Sequence, residues 1–271
     1  MRLLLLGVRG STPAPGPEYV RYGGHTSCVA VLPAGDNGDG APALVLDAGT
    51  GIRQLAGPFR GAILLSHLHW DHVQGLPFSR AVDHPDSRAE LVVPVVPGAD
   101  PLATLTGQMS PPHFPIEPGG LLGDWTFTRP APVRELAGMT VRQAEVTHKG
   151  GVTVGTRIER DGTSVVYLPD HAPQLGSAAA EELAAGADLL IHDGQFRPEE
   201  QALADAYGHA TITDALDFAA RCGVRRLLLT HHAPGRTDDQ LDAMAKEWPD
   251  VEFARQGETV TPSDRSRSRT R

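Results

Sequence analysis

Six consecutive residues, His67-Leu68-His69-Trp70-Asp71-His72, constrain this chain more than any other feature. They follow the apolar run Ala62-Ile63-Leu64-Leu65-Ser66, which reads as a buried strand. Side chains alternate along a strand, so His67 and His69 point the same way at its end and can chelate one ion. A tight turn then swings Asp71 and His72 toward a second. Imidazole nitrogen and carboxylate oxygen are the donors that zinc and similar divalent ions take. A surface loop that merely happens to be rich in His is the bland alternative. The dense spacing directly after a strand favours a metal-binding edge.

Two ions need more ligands than one hexapeptide supplies, so later His and Asp residues should also close strands. Three segments do. Thr147-His148-Lys149 follows the alternating run Met139–Val146, Asp170 follows Thr163–Val166 and Tyr167-Leu168-Pro169, and Thr230-His231-His232 follows Val224–Leu229.

The opening motif resembles the signature of the metallo-β-lactamase superfamily, where a His-rich loop precedes a His, a bridging Asp and a final His. This chain keeps that order. The resemblance implies that His67, His69 and His148 hold one ion, Asp71, His72 and His231 hold the second, and Asp170 bridges them. It also implies a definite fold. Alternating strands and helices by themselves indicate a layered α/β domain, whereas the resemblance implies a four-layer αββα metallo-β-lactamase sandwich with halves at about 1–138 and 139–262. The ions would be two Zn2+, with Mn2+ or Fe2+ also suited to these donors.

Several local signals fit such a sandwich. Arg2–Val8, Ser27–Leu32 and Ala43–Asp47 read as strands, with Gly35–Gly40 as a turn. Thr50–Leu55 reads as the start of a helix. Strands dominate from 123 to Leu168, with Arg160-Asp161-Gly162 as a hairpin signal. Ser177–Ala185, Thr211–Cys222 and Thr237–Lys246 read as helices, and Ala187–His192 as a strand. Thr211 and Asp214 form an imperfect capping box, and Gly223 ends that helix.

The superfamily holds several chemistries, and five further segments point to one branch. Oxygen-reducing di-iron members usually carry Glu where His69 stands. Tyr207-Gly208-His209-Ala210-Thr211, which precedes a helix and then the last metal His, is similar to the His-Ser-Thr element of ribonuclease Z and related phosphodiesterases. Here Ala210 replaces Ser. Leu190-Ile191-His192-Asp193-Gly194-Gln195-Phe196 resembles the His-Glu-Ala-Thr-Phe segment of the same branch, with Asp193 at the position of its Glu. Gly7–Pro13 and Arg21–Ser27 are similar to its N-terminal pattern, although Asn is usual at the position of His25. Gln108–Pro115 has counterparts in a group of small bacterial phosphodiesterase-like hydrolases. The likeness spans nearly all of residues 1–235.

This branch implies His209 as the acid that protonates the leaving alkoxide, and Asp193 as the residue that fixes its ring. Asp193 is a methylene shorter than Glu, so a backbone shift or a water is expected between them. Two ions about 3.5–4 Å apart activate a bridging hydroxide as the nucleophile, and Asp71 is expected to share a hydrogen bond with it. Asp47 is expected to support the metal-binding His residues through hydrogen bonds. Of the remaining His residues, His192 reads as buried and structural, and His232 as a less favoured substitute for His231. His171 is balanced between lining the pocket and burial. His25 reads as a turn residue and His84 as part of a surface loop. His113 and Phe114 belong either to a lid or to a Pro-rich surface loop, and Lys149 is either a phosphate contact or a solvated charge.

Composition bounds the substrate and the compartment. The 271 residues are 40% hydrophobic, enough for a substantial core, with no apolar run of membrane-spanning length. Two cysteines, Cys28 and Cys222, exclude a disulfide framework and point to a reducing, cytoplasmic setting. Ribonuclease Z carries a long arm that grips transfer RNA, and nothing like it interrupts this sequence. A net charge of −9 also disfavours a nucleic-acid partner. A small-molecule phosphodiester, cyclic or otherwise, is the expected substrate, with a lactone or thioester hydrolase and a non-catalytic metal-binding module as alternatives. Relatives of this kind often form homodimers. Residues 1–262 form one hydrolase domain on this reading, and Ser263–Arg271, with four Arg and one Asp, a basic disordered tail.

Overall fold

A computed structural model of the protein describes residues 1–32 and 41–263. The expected turn at Gly35–Gly40 and all but Ser263 of the basic tail lie outside these residues.

The described strands form two sheets of seven. The first holds β1 (Arg2–Gly7), β2 (Cys28–Leu32), β3 (Leu44–Leu46), β4 (Arg60–Leu64), β5 (Arg88–Val92) and β6 (Asp124–Thr128) as neighbours in that order. The second runs back from β7 (Val133–Leu136) through β8 (Met139–Glu145), β9 (Val154–Arg160), β10 (Thr163–Leu168), β11 (Leu189–Asp193) and β12 (Leu227–Thr230) to β13 (Glu252–Phe253). The last strand, β14 (Thr259–Val260), returns to the first sheet and pairs antiparallel with β1, Val260 opposite Leu3. In each sheet one end is antiparallel, while β3–β6 and β10–β13 are parallel.

Alternation along the strands sorts side chains into layers. In β10, Val165 and Tyr167 enter a core between the sheets, together with Leu3, Leu46 and Leu64 from the first sheet and Ile191 from β11. Val166 and Leu168 turn the other way and meet helices. Those helices are α3 (Ala178–Ala184), α5 (Ile212–Arg221) and α6 (Asp238–Glu247), which contribute Leu183, Phe218 and Leu241. The outer face of the first sheet is covered by shorter elements, including α1 (Trp70–Val73) and α2 (Pro101–Thr106). There Ile52, Val73, Leu76 and Leu105 pack on Val45 and Ile63. The result is the expected αββα sandwich.

Four details differ from expectation. Residues 50–54 make a 3-10 turn rather than the start of an α-helix. A further helix, α4 (Gln201–Tyr207), stands ahead of His209 and has only Ala204 buried, so it carries almost no apolar periodicity. The boundary between halves lies between β6 and β7, not at 138, because Val133–Leu136 pairs with β8. Both bonds of the Thr211–Asp214 capping box form at the start of α5, at 3.2 and 2.9 Å, so the box expected to be imperfect is complete.

Candidate metal centre

The loops that leave β4, β8, β10 and β12 meet at one edge of the sandwich, where parallel strands end. Ligands of open α/β sheets gather at such carboxyl ends. All seven residues expected to bind metal converge there around the buried Asp170. Its Oδ1 lies 3.2 Å from His72 Nε2 and 3.2 Å from His231 Nε2. Its Oδ2 lies 3.6 Å from both His67 Nε2 and His148 Nε2. His69 Nδ1 is 3.5 Å from His148 Nε2. Asp71 Oδ2 sits 3.1 Å from His231 Nε2 and 3.3 Å from His72 Nε2. One donor atom from each of His67, His69, His148 and Asp170 falls within a 4.8 Å group, and the same holds for Asp71, His72 and His231.

Hydrogen bonds behind the cluster decide which ring nitrogen faces inward. Asp47, buried and held at φ 59, accepts from Ser66 N at 2.6 Å, Ser66 Oγ at 2.9 Å, Tyr167 OH at 2.9 Å and His72 Nδ1 at 2.7 Å. With its Nδ1 so engaged, His72 turns Nε2 toward the interior. His148 Nδ1 donates to Gly208 O at 2.6 Å and likewise directs Nε2 inward. Asp71 Oδ2 accepts from the backbone of Ser11 at 2.6 Å. His231 is fixed differently. Its φ of 59 is a left-handed conformation that costs a non-glycine residue energy, and its ring lies against Gly10, where a Cβ would come within 2.4 Å.

These donors fit divalent cations. His67 Nε2, His72 Nε2 and Asp170 Oδ1 are buried and satisfy no hydrogen bond, a costly state for polar atoms that a cation would relieve. Burial and neighbouring rings push the His67 imidazole well below its usual range, and burial lowers His69 and His148. Asp170 and Asp71 stay well below the usual carboxylate range: burial opposes their charge, but the surrounding imidazoles outweigh it. His72 is the exception. Burial disfavours its charge, yet Asp71, Asp170 and Asp47 together raise it well above the usual imidazole value.

His209 stands beside the cluster. Its Nδ1 lies 2.7 Å from Asp193 Oδ2, a direct contact. The shorter carboxylate suffices because Asp193 ends β11 and its Oδ1 is anchored by Gln195 N at 3.0 Å. Burial opposes charge on the ring, but Asp193, then Asp170 and Asp71, override it and raise His209 to about 9. His209 also lies 3.9 Å from Asp170 through Nδ1. Since Asp193 engages that nitrogen, Nε2 is the atom left for chemistry.

Other expectations sort out plainly. His232 Nε2 donates to Ala254 O at 2.8 Å, so His231 and not His232 faces Asp170. His171 does not line the cavity; it is buried and its Nδ1 meets His192 Nε2 at 3.0 Å, with His192 Nδ1 donating to Asp193 O. His25 contacts Thr50 Oγ1 away from the cluster, and His84 belongs to a loop, where it accepts from Asp86 N. Lys149 lines the cavity, and its ammonium is tied to Ala206 O at 2.6 Å. Residues that sequence reasoning missed are Ser66 and Tyr167 under Asp47, Gly10 under His231, and Ser11, Gln195 and Trp70 in the cavity wall. The cavity over the cluster has a volume of about 650 Å3.

Comparisons with known proteins agree with this geometry. A family model described as the beta-lactamase superfamily domain matches residues 43–232. Ribonuclease Z of Mycobacterium bovis (strain BCG / Pasteur 1173P2) is 30% identical over 267 residues, covering 86% of this chain and 86% of that protein. Among solved structures, a diphosphatase from the PhnP family superposes with a TM-score of 0.70 at 18% identity, covering 96% of this chain and 97% of that one. Zn(2+)-bound PqqB from Methylobacterium extorquens does so with a TM-score of 0.70 at 21% identity, covering 96% and 100%.

Proposed function

From the premise that this chain belongs to the β-lactamase superfamily, we propose that it is a two-metal-dependent phosphodiesterase acting on a small phosphodiester. The observation that carries this reading is the His209–Asp193 pair at the rim of the metal-ligand cluster. Lactone and thioester hydrolysis would not require a buried imidazole held in its charged form there. Expulsion of an alkoxide from phosphorus does. The ribonuclease Z relative and the PhnP-family diphosphatase act on phosphate esters or anhydrides by name, which supports the same class.

In this proposal His67, His69 and His148 would hold one ion, Asp71, His72 and His231 the other, and Asp170 both. Zn2+ is the preferred metal, as in the Zn-bound neighbour. When bound, such ions supply Lewis acidity toward water and the phosphoryl oxygens at neutral pH. His209 donates a proton from Nε2 to the departing oxygen, while Asp193 keeps Nδ1–H in place and offsets the ring's charge. Lys149 adds a positive charge to the cavity wall, which Phe196 and Tyr207 also line.

Residues 1–262 act as one hydrolase domain. The free thiols of Cys28 and Cys222 suit a reducing, cytoplasmic compartment. A small substrate is favoured because only the β9–β10 hairpin lies between His148 and Asp170, where a long arm has no room, and because the chain carries −9. The ribonuclease Z relative favours a second reading, cleavage of RNA.

The deciding experiment is hydrolysis of bis(p-nitrophenyl) phosphate by the metal-loaded protein, run beside an acyl-homoserine lactone, a thioester and a precursor transfer RNA. Diester turnover that disappears in Asp170→Ala supports the proposal. Acyl turnover alone reassigns the site to lactone or thioester chemistry, and RNA cleavage with little small-diester turnover favours the second reading.

A further inference from the structure

Behind His209 lies a pair of imidazoles that the proposed reaction does not use. The parallel strands β10 and β11 share their last rung at Leu168 and His192. Past it the chain turns at Pro169, which has no N–H for a further rung, and sends Asp170 into the metal-ligand cluster. Side chains continue the connection. His171 N donates to Asp193 Oδ2 at 3.3 Å, His171 Nδ1 meets His192 Nε2 at 3.0 Å, and His192 Nδ1 donates to Asp193 O at 2.8 Å. These contacts close a loop between the residue that follows the central carboxylate and the residue that orients His209.

The proton positions along this loop follow from the partners. A carbonyl oxygen only accepts, so His192 carries a proton on Nδ1. Burial holds its imidazole below the usual range, so the ring is neutral and Nε2 keeps its lone pair. His171 Nδ1 must then carry the proton that Nε2 accepts. His171 Nε2 is left buried without a partner. Both rings are fully buried and pack on Phe218 of α5, with centroids 4.9 and 5.3 Å away. An apolar pair would fill that space without an orphaned nitrogen, so packing alone does not account for two histidines here.

We infer that His171 and His192 are positioning residues for His209: their hydrogen-bonded pair ties the turn that carries Asp170 to the Asp193 carboxylate, and so sets the acid against the metal-ligand cluster. Neither ring lines the cavity, so both act through Asp193, whose carboxylate is otherwise met by Gln195 N and His209 Nδ1. The effect on turnover rests on the phosphodiesterase reading. A reacting group misplaced by about 1 Å can lose about 10²-fold in rate.

Three variants separate positioning from packing. His171→Asn keeps an N–H donor close to where Nδ1 stands, and His171→Leu has nearly the same shape without the donor. His192→Phe keeps a ring against Phe218 but removes the acceptor. Each is assayed as the metal-loaded full chain on bis(p-nitrophenyl) phosphate and on diphenyl phosphate, whose phenolate is the poorer leaving group. On diphenyl phosphate kcat should fall about 10- to 100-fold in His171→Leu and His192→Phe, with KM nearly unchanged, and recover most of that loss in His171→Asn. The nitrophenyl diester should lose far less. Equal losses on both diesters, or His171→Leu performing as well as His171→Asn, overturns the positioning role and leaves packing.

A second readout needs no turnover. Proton–nitrogen correlation spectra of the unaltered metal-loaded protein should show His171 and His192 neutral with their protons on Nδ1. The His209 Nδ1–H should give a downfield resonance that disappears in His209→Gln. That resonance should exchange faster with water in His171→Leu and regain its protection in His171→Asn. A proton on Nε2 of His171 or His192, or a His209 resonance indifferent to both substitutions, overturns the pair whatever the kinetics. Absence of diester turnover in the unaltered protein, with this spectral pattern intact, removes the phosphodiesterase reading alone.

Discussion

On the proposed reading, His209 serves as an acid only while Asp193 holds its proton in place. The 2.7 Å contact and the rise to about 9 mean that the ring carries a proton at neutral pH in the metal-free protein. Substituting His209→Ala should therefore cost most where the leaving group is a poor one. Turnover of a dialkyl or nucleoside diester should drop about 10²- to 10⁴-fold, the usual worth of a positioned acid, with both metals retained by elemental analysis. Bis(p-nitrophenyl) phosphate, which leaves as a stable phenolate, should lose far less. Equal losses on both substrates would remove the acid role. His209 and Asp193 were legible in the chain because each occupies a marked position in a resembling segment. Ser66 and Tyr167 were not. Their contribution is a pair of hydrogen bonds to Asp47 from strands far apart in sequence, and neither residue type signals that on its own.

At the scale of elements, regular strands and helices set distances while loops set directions. The helix α5 was legible because its apolar face repeats with helical period and its cap residues stand at the right spacing. By contrast, α4 buries one residue and β7 alternates only between exposed and half-buried positions, so neither leaves a hydrophobic pattern to read. The orientation of His231 was equally hidden, since it depends on a left-handed backbone and on the bare Cα of Gly10 across the edge. Gly10→Ala would put a methyl 2.4 Å from the His231 ring, an overlap that the ring must relieve by turning away. The expected result is a protein that folds with nearly unchanged far-UV circular dichroism but binds about one ion instead of two. Undiminished stoichiometry by elemental analysis would show that the ring has room to slide.

For the whole molecule, the sandwich gathers Asp71 and Asp170 with the imidazoles of His67, His69, His72, His148 and His231 at one largely buried edge of an acidic protein. Such a concentration of unpaired donors is destabilising until cations fill it, so metal binding and folding should be coupled. At free metal 1,000-fold above Kd the coupling is worth about 4 kcal/mol, and chelation should lower the melting temperature accordingly. Protons compete for the same lone pairs. With His72 raised well above the ordinary imidazole value by Asp71, Asp170 and Asp47, the metal-free protein keeps a proton there through neutral pH. Binding must expel it, and each proton expelled steepens the affinity by about tenfold per pH unit while that group remains protonated. Affinity measured by chelator competition should therefore rise from pH 6 to pH 8 with a slope of roughly one decade per unit. The heat of binding should also vary with the ionisation enthalpy of the buffer, in the sense of proton release. A flat profile and a buffer-independent heat would mean that the inward nitrogen of His72 is already free, and that the three carboxylates do not hold a proton on it.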